Sequence, residues 1–160
     1  MTAQVIALLP RRRIEAEMLA RVYRVLCPQV GPEKALAVIR SAVEGAAEAA
    51  GREFAASAAE GPCLAHFATV VDRWREGNAL EIEDLRVTER ELSFRVTRCA
   101  YAELYRSMGL SETLAHTLSC SRDGAFVRGY HPGLRMEREG TIVEGHGSCR
   151  FRFLWVPSGD

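Results

Sequence analysis

Cys120 and Asp123 are the residues in this sequence whose types and spacing are best suited to covalent chemistry. Apolar residues between 114 and 127 predict a helix, and residues three apart on a helix project from the same face. A thiol and a carboxylate would then be directed at one spot. A cysteine can attack an electrophilic carbon, and a nearby carboxylate can accept and return the proton. The pair therefore predicts a nucleophilic site.

A second cysteine belongs to the last predicted strand. From 149 to 155, apolar and polar side chains alternate, which is the period of a half-buried strand. Cys149 falls on the core-facing side together with the aromatic residues Phe151, Phe153 and Trp155. We expect this strand to pack against the helix that carries Cys120, so that two thiols and one carboxylate meet.

Each cysteine also has a structural interpretation, because cysteine is among the most frequently buried residue types. Cys27 and Cys63 stand beside prolines and are interpreted as structural. Cys120 differs, because a carboxylate three residues away is a poor neighbour for a core thiol unless it is paired or does chemistry. Asp123 could instead pair locally with Arg122 or face the solvent.

Two arginines continue the apolar faces of predicted strands and are expected to point inward, Arg98 and Arg138. A buried guanidinium needs an anionic partner. Asp123 or Glu103 could supply it as an internal ion pair, or a bound substrate could supply a carboxylate, which arginine grips with two hydrogen bonds. Either arginine could instead reach solvent. Cys99 and Glu103 form a second pair of thiol and acid one helical turn apart.

His116 and His146 are the candidate general bases. His116 lies one turn before Cys120 on the predicted helix, although three residues along one helix rarely make the mutual contacts of a catalytic triad. His146 lies in a glycine-rich loop, where exposure to solvent is the alternative. Thiolate and imidazole suit zinc, but the cysteines and histidines are dispersed without metal-ligand spacing. Neither a metal nor a cofactor is therefore expected.

The predicted elements place the candidate residues in the second half of the chain. Periodicities of three to four residues indicate helices at 14–26 and 35–58 and a third helix that begins at 64 and ends at Gly77. Alternation and turn residues then predict a hairpin with a turn near 88–90, a helix at 100–108, the helix at 114–127 with Ser111 as its N-cap, and strands at 134–138 and 149–155. Runs of like elements indicate an α+β fold: an antiparallel sheet of about four strands covered by helices, with a helical N-terminal half.

Length and charge limit the classes of function. A chain of 160 residues fits one domain, with a helical portion at 1–78 and an α+β portion carrying the site at 79–160. Basic and acidic residues balance at 21 each, so no charge excess would attract nucleic acid or an anionic membrane. No apolar run reaches the roughly 20 residues of a membrane span, and cysteines without a C-x-x-C pair indicate reduced, cytoplasmic thiols. The oligomeric state, including a homo-oligomer, stays open.

Three motifs occur in order in the second half: R-C-x-Y-A-E at 98–103, C-x-R-D at 120–123 and G-x-x-x-C-x-F at 145–151. Their combination resembles the L-2-amino-thiazoline-4-carboxylic acid hydrolase family. That family is named for hydrolytic opening of a thiazoline ring to an N-carbamoyl cysteine. The resemblance implies roles for Cys99, Glu103, Cys120, Asp123 and Cys149. In the family a histidine often precedes the last cysteine, where this sequence has Ser148.

Together these observations predict a hydrolase that opens a C–N or C–S bond of a small, carboxylate-bearing cyclic amidine or amide. Cys120 would be the nucleophile, Asp123 the base or water-orienting acid, and Cys149 a partner thiol. The substrate-binding set comprises Arg98, Cys99, Glu103, Arg138 and His146. The alternative is a non-catalytic domain that encloses a small ligand or a metal-bound one, with the cysteines as contacts or sensors.

Overall fold

Residues 6–156, which the computed structural model describes, form seven α-helices and four β-strands. The helices are α1 (Leu8–Val30), α2 (Pro32–Ala56), α3 (Leu64–Ala68), α4 (Val70–Trp74), α5 (Ala100–Ser107), α6 (Glu112–Leu118) and α7 (Ser121–Tyr130). The strands are β1 (Leu80–Val87), β2 (Glu91–Cys99), β3 (Leu134–Glu139) and β4 (Cys149–Trp155). The four strands form one antiparallel sheet in the order β1-β2-β4-β3. This architecture confirms the predicted α+β class with its helical N-terminal half.

One irregularity in the β1–β2 hairpin changes which side chains face the helices. The pairing register between the two strands skips Thr97, so β2 contains one residue more than β1 at this point. Such a β-bulge reverses the inside and outside positions beyond it. Cys99 therefore turns inward and Arg98 turns outward. The predicted inward position of Arg98 is wrong, because it assumed uninterrupted alternation.

Helix α1 is longer than predicted and buries a different face. It continues through Pro28 to Val30 instead of ending before the proline, although Pro28 has no N–H to donate to the carbonyl of Arg24. The large apolar residues of the predicted stripe are mostly exposed, namely Ile14, Met18, Val22 and Val25. The buried residues are Ala16 and Ala20, whose small side chains allow close packing.

Two other predicted helices are interrupted. The helix expected from 64 to Gly77 is divided into α3 and α4 at Thr69, and its predicted last turn is instead part of a short 3-10 turn, Glu76–Asn78. The helix expected at 114–127 ends as α6 at Leu118, and α7 begins at Ser121. Ser111 caps α6, since its Oγ accepts a hydrogen bond from Leu114 N at 3.3 Å. Cys120, however, lies in the break between the two helices and not within one.

The buried apolar side chains form two clusters that meet at Cys99. One cluster joins the sheet to α2, α3, α4 and α7 and includes Phe67, Leu92, Tyr130 and Phe153. The other joins α1, α2, α5 and α6 and includes Ile39, Val43, Tyr105 and Leu118. Cys99 packs against both. Within residues 6–156, no helix combines the length and the apolar character needed to cross a membrane.

Two glycines allow α2 and α7 to pack with their backbones in contact. A Cβ atom placed on Gly51 of α2 would overlap the carbonyl oxygen of Phe126, and one placed on Gly129 of α7 would overlap the carbonyl oxygen of Glu48. Side chains can move aside, but helix backbones held by their own hydrogen bonds cannot. This contact holds α7, and with it Asp123, against the long helix α2.

Gly129→Ala is accordingly expected to lower the free energy of unfolding by about 1–3 kcal/mol, the usual cost of overpacking. Gly45→Ala on α2 is the matched control, because nothing lies within 4 Å of the position its Cβ would occupy. It should raise the free energy of unfolding by about 0.5–1 kcal/mol, since alanine is the better helix former. Denaturant unfolding of both variants measures these changes, and an equal response would contradict the close backbone contact.

Candidate functional site

A cavity of about 370 Å³ lies between the helices and the sheet. Part of its wall is aromatic and comprises Phe54, Trp74, Phe94, Phe126 and Phe151. Another part carries three thiols and two charged groups, from Cys99, Cys120, Cys149, Asp123 and Arg138. The cavity therefore combines an apolar wall suited to a small organic molecule with groups that can do covalent chemistry.

The ends of three strands bring Cys99, Cys149 and Arg138 to one end of the sheet. Cys99 is the last residue of β2, and Cys149 is the first residue of β4. Arg138 is the second-last residue of β3 and is paired with Phe151 of β4. Antiparallel neighbours place these ends side by side. The Cys149 Sγ also accepts a hydrogen bond from the backbone N–H of Ile142 at 3.2 Å.

The break between α6 and α7 places Cys120 and Asp123. The side chains of Ser121 and Arg122 donate hydrogen bonds of 2.7 Å to two carbonyls in the last turn of α6. In a continuous helix those carbonyls would accept from the backbone N–H groups of the same two residues, so the side chains replace the missing turn. Cys120 is then the residue before α7, and Asp123 lies in its first turn. The thiol and the carboxylate line the same cavity.

Arg138 is held in place from several directions. Its Nη1 donates to Asp123 Oδ2 at 2.7 Å and to the backbone oxygen of Cys120 at 2.9 Å. Its Nη2 lies 3.4 Å from His116 Nε2, and its guanidinium carbon lies 5.7 Å from the centre of the Phe151 ring. Only 13% of the side chain is exposed. Arg138 is therefore inward, as predicted, and its charge is already balanced by Asp123.

Burial keeps the three cavity thiols protonated at neutral pH. It raises the pKa of Cys99 to about 11. Burial also raises the pKa of Cys120, and the nearby Asp123 carboxylate acts in the same direction. The pKa of Cys149 is raised by burial too, although the N–H of Ile142 opposes the shift. None of the three is a ready thiolate, so a nucleophile here must be activated when a substrate binds.

Asp123 titrates close to neutrality. Burial raises the pKa of its carboxyl group to about 6, and the charge of Arg138 opposes this shift without cancelling it. About a quarter of its side chain, 26%, is accessible, and this surface faces the cavity. A carboxyl group with a pKa near 6 can take up and return a proton near neutral pH, as general acid and base catalysis requires.

Three residues predicted to bind the substrate and one candidate general base do not line the cavity. Arg98 and Glu103 form an ion pair of 2.7 Å outside it. His146 is exposed in the loop before β4. His116 lies behind Arg138, and burial lowers its pKa. Its neutral ring can therefore accept a hydrogen bond from Arg138 and help to position it.

The cavity is also lined by polar residues that the sequence patterns did not indicate, among them Arg12, Glu15, Tyr101 and Arg122. Arg12 and Glu15 belong to α1, on or beside the face that carries Ala16. The spacing of three residues places Arg12 and Glu15 on one face of a helix. The apolar periodicity of α1, however, predicts that the opposite face is buried. Among residues 6–156, no three histidine, cysteine, aspartate or glutamate side chains are arranged to hold a metal ion.

A family model for the L-2-amino-thiazoline-4-carboxylic acid hydrolases matches residues 11–153. The chain belongs to this family. Membership confirms the resemblance carried by the three motifs, and the matched range also includes the N-terminal helices from residue 11 onward. The name of the L-2-amino-thiazoline-4-carboxylic acid hydrolases indicates hydrolysis of a small molecule that carries a carboxylate.

Comparison with other proteins gives a structural likeness but no curated relative. No curated protein matches the chain. Among solved structures, the crystal structure of the phenol-responsive sensory domain of the transcription activator PoxR with phenol is similar, with 12% sequence identity and a TM-score of 0.49. The alignment covers 87% of this chain and 73% of that chain. A likeness at this level carries no inference about ligand or activity.

Proposed function

We propose that this protein hydrolyses a small cyclic amidine of the 2-amino-thiazoline-4-carboxylate type, with Cys120 as the nucleophile and Asp123 as the general base. The observation that carries the proposal is the meeting of the Cys120 thiol, the Asp123 carboxylate and Arg138 in one cavity with an aromatic wall. Membership in the family supports the reaction class. The aromatic wall would pack against the ring of the substrate and exclude water other than the reacting molecule.

In the proposed first step, the Cys120 sulfur bonds to the amidine carbon of the ring while its proton moves to Asp123. The tetrahedral intermediate then breaks its ring C–S bond, and the departing sulfur takes the proton from Asp123. In the second step water adds to the same carbon and gives one proton to Asp123. That proton passes to the Cys120 sulfur as the bond between protein and substrate breaks. The hydroxyl group of the adduct then loses its proton to solvent, which balances the proton that a protonated amidine brings. The product is an N-carbamoyl cysteine, and the route needs no metal ion.

The raised pKa of the Cys120 thiol sets a requirement on the substrate. A protonated amidine carries a positive charge, and a positive charge beside a thiol lowers the thiol pKa. The bound substrate would thus help to generate the thiolate that attacks it. Arg138 would act as a positioning residue, because it holds both Asp123 and the backbone carbonyl of Cys120. Cys99 and Cys149 would contact the substrate from the sheet side.

The pH dependence of turnover is expected to follow Asp123. Because the base must be ionised and its pKa is raised to about 6, turnover of 2-amino-thiazoline-4-carboxylate should rise with pH through about 6 and then level off. Asp123→Asn should lower the rate by about 10²–10⁴-fold, the usual contribution of a general base, and should remove the rising limb. Product formation followed by mass spectrometry across the pH range measures both effects.

Glu103→Gln is the matched control for this experiment, since Glu103 is an acid of the neighbouring motif that pairs with Arg98 outside the cavity. Its rate and pH profile should equal those of the unmodified protein. A limb near pH 6 that persists in Asp123→Asn would show that another group is the base. Thermal unfolding of the same variant tests a purely structural role, because breaking a buried ion pair costs about 3–5 kcal/mol.

A non-catalytic ligand-binding domain is the second candidate function. The observation that favours it is the burial that keeps the three thiols protonated, as expected of cysteines that only contact a ligand. In that case 2-amino-thiazoline-4-carboxylate, or another small molecule, would bind without being consumed. Mass spectrometry of the ligand recovered after prolonged incubation distinguishes the two functions, because hydrolysis adds the mass of one water.

A further inference from the structure

A group of charged residues at the α1 side of the cavity is not used by the proposed chemistry. Arg12 Nη1 and Arg122 Nη2 both donate to the same oxygen of Glu15, at 2.6 Å and 2.9 Å. Arg11 Nε donates to the other oxygen of Glu15 at 2.9 Å. The guanidinium groups of Arg12 and Arg122 are therefore neighbours. The single negative charge of Glu15 is shared by three positively charged side chains.

The excess positive charge lies where water cannot easily compensate for it. The side chains of Arg12 and Arg122 are only 20% and 12% exposed, whereas that of Arg11 is 63% exposed. Burial, with the charge of Arg12, lowers the pKa of Arg122 to about 10 even though Glu15 acts in the opposite direction. A second anion placed between the two guanidinium groups would relieve this repulsion.

Both arginines have hydrogen-bond donors left for such an anion. Within residues 6–156, Arg12 makes its only side-chain hydrogen bond to Glu15, and Arg122 makes one more, from Nε to the carbonyl of Leu118 at 2.7 Å. Each guanidinium has five N–H groups. Arg138, by contrast, is neutralised by Asp123 at 2.7 Å and is a poorer partner for a substrate carboxylate.

We propose that Arg12 and Arg122 form the subsite that binds the carboxylate of the substrate, a deepening that rests on the proposed function. Both residues line the same cavity as Cys120 and Asp123. They also act on Asp123, since each lowers the pKa of its carboxyl group against the effect of burial. A zwitterionic substrate would then place its carboxylate against α1 and α7 and its amidinium carbon near Cys120 and Asp123.

The test compares two ligands that differ only in the carboxylate, 2-amino-thiazoline-4-carboxylate and 2-amino-thiazoline. Calorimetric titration uses the full chain with Cys120→Ser, so that the ligand stays intact. We expect the carboxylate-bearing ligand to bind about 10- to 100-fold more tightly, the range of a charged hydrogen-bonded contact. Adding Arg12→Gln should remove this preference while the affinity for 2-amino-thiazoline changes by less than about 2-fold.

Arg13→Gln is the matched control, because Arg13 is the next residue of α1 and pairs with Glu17 outside the cavity. It should leave the preference unchanged. Arg122→Lys, which keeps the charge of the more buried partner, should reduce the preference less than Arg12→Gln does. Thermal melting of each variant verifies that it is folded before it is titrated.

The outcomes separate the subsite from the proposed hydrolysis. A folded Arg12→Gln variant that keeps the full preference for the carboxylate overturns the subsite, whether or not the unmodified protein hydrolyses the ligand. Failure of the Cys120→Ser chain to bind either ligand also overturns it. A preference that depends on Arg12, combined with no turnover by the unmodified protein, supports the subsite and overturns the hydrolysis.

Discussion

Cys120→Ser is expected to abolish turnover of 2-amino-thiazoline-4-carboxylate while the protein stays folded. A hydroxyl is nearly the same size as a thiol but ionises far less readily, so the pathway through a covalent intermediate is lost. The free energy of unfolding should change by less than about 1 kcal/mol, because the replacement is nearly isosteric and the side chain borders a cavity. Product formation and thermal unfolding, measured on the same sample, show whether activity and stability separate.

Cys63→Ser is the matched control for this substitution. Cys63 is exposed and caps α3, where its Sγ accepts a hydrogen bond from His66 N at 3.4 Å. Serine is among the preferred residues at such a position, so this variant should be as stable and as active as the unmodified protein. Full activity of Cys120→Ser would end the proposed mechanism. If Cys149→Ser loses activity while Cys120→Ser keeps it, Cys149 and not Cys120 is the nucleophile.

Phe153→Ala is expected to lower the free energy of unfolding by about 3–5 kcal/mol, the usual cost of deleting a buried aromatic side chain. Phe153 lies on β4, one of the two inner strands of the sheet, and is fully buried. Its ring centre is 5.1 Å from that of Phe67 and 5.9 Å from that of Phe94, so the substitution opens a void where the sheet meets the helices. Denaturant unfolding measures the loss.

Leu154→Ala is the comparison for Phe153→Ala, because Leu154 is the next residue of β4, projects from the opposite side of the sheet and is only half-buried. Leu154→Ala should lower the free energy of unfolding clearly less than Phe153→Ala does. A loss under about 1 kcal/mol for Phe153→Ala would mean that the helix-facing side of β4 is not the core.

Local sequence patterns were sufficient for the elements whose geometry depends on neighbouring residues. The alternation from 149 to 155 matches β4 residue for residue, because successive side chains of a strand point to opposite sides whatever the strand packs against. The hairpin turn and the end of α7 before His131 follow from local turn and cap residues in the same way. Cys120 and Asp123 stay close even though the predicted helix is broken between 118 and 121, since only two residues separate them along the chain.

Contacts between distant parts of the chain decided the rest of the site. The bulge at Thr97 turns Cys99 into the cavity and Arg98 out of it. No pattern within β2 indicates that this strand has one residue more than β1 at that point. The backbone carbonyl of Cys120, in the break before α7, accepts a hydrogen bond from Arg138 of β3. No local sequence pattern indicates this contact.

Helix α1 shows most clearly why the sequence was insufficient there. Its larger apolar residues form the stripe that hydrophobic periodicity selects, yet Ala16 and Ala20 are the buried ones. Packing depends on how closely two helices can approach as well as on how apolar each face is, and small side chains allow the closer approach. That choice of face brings Arg12 and Glu15 to the cavity, so the charged side of the site exists only once α1 has packed.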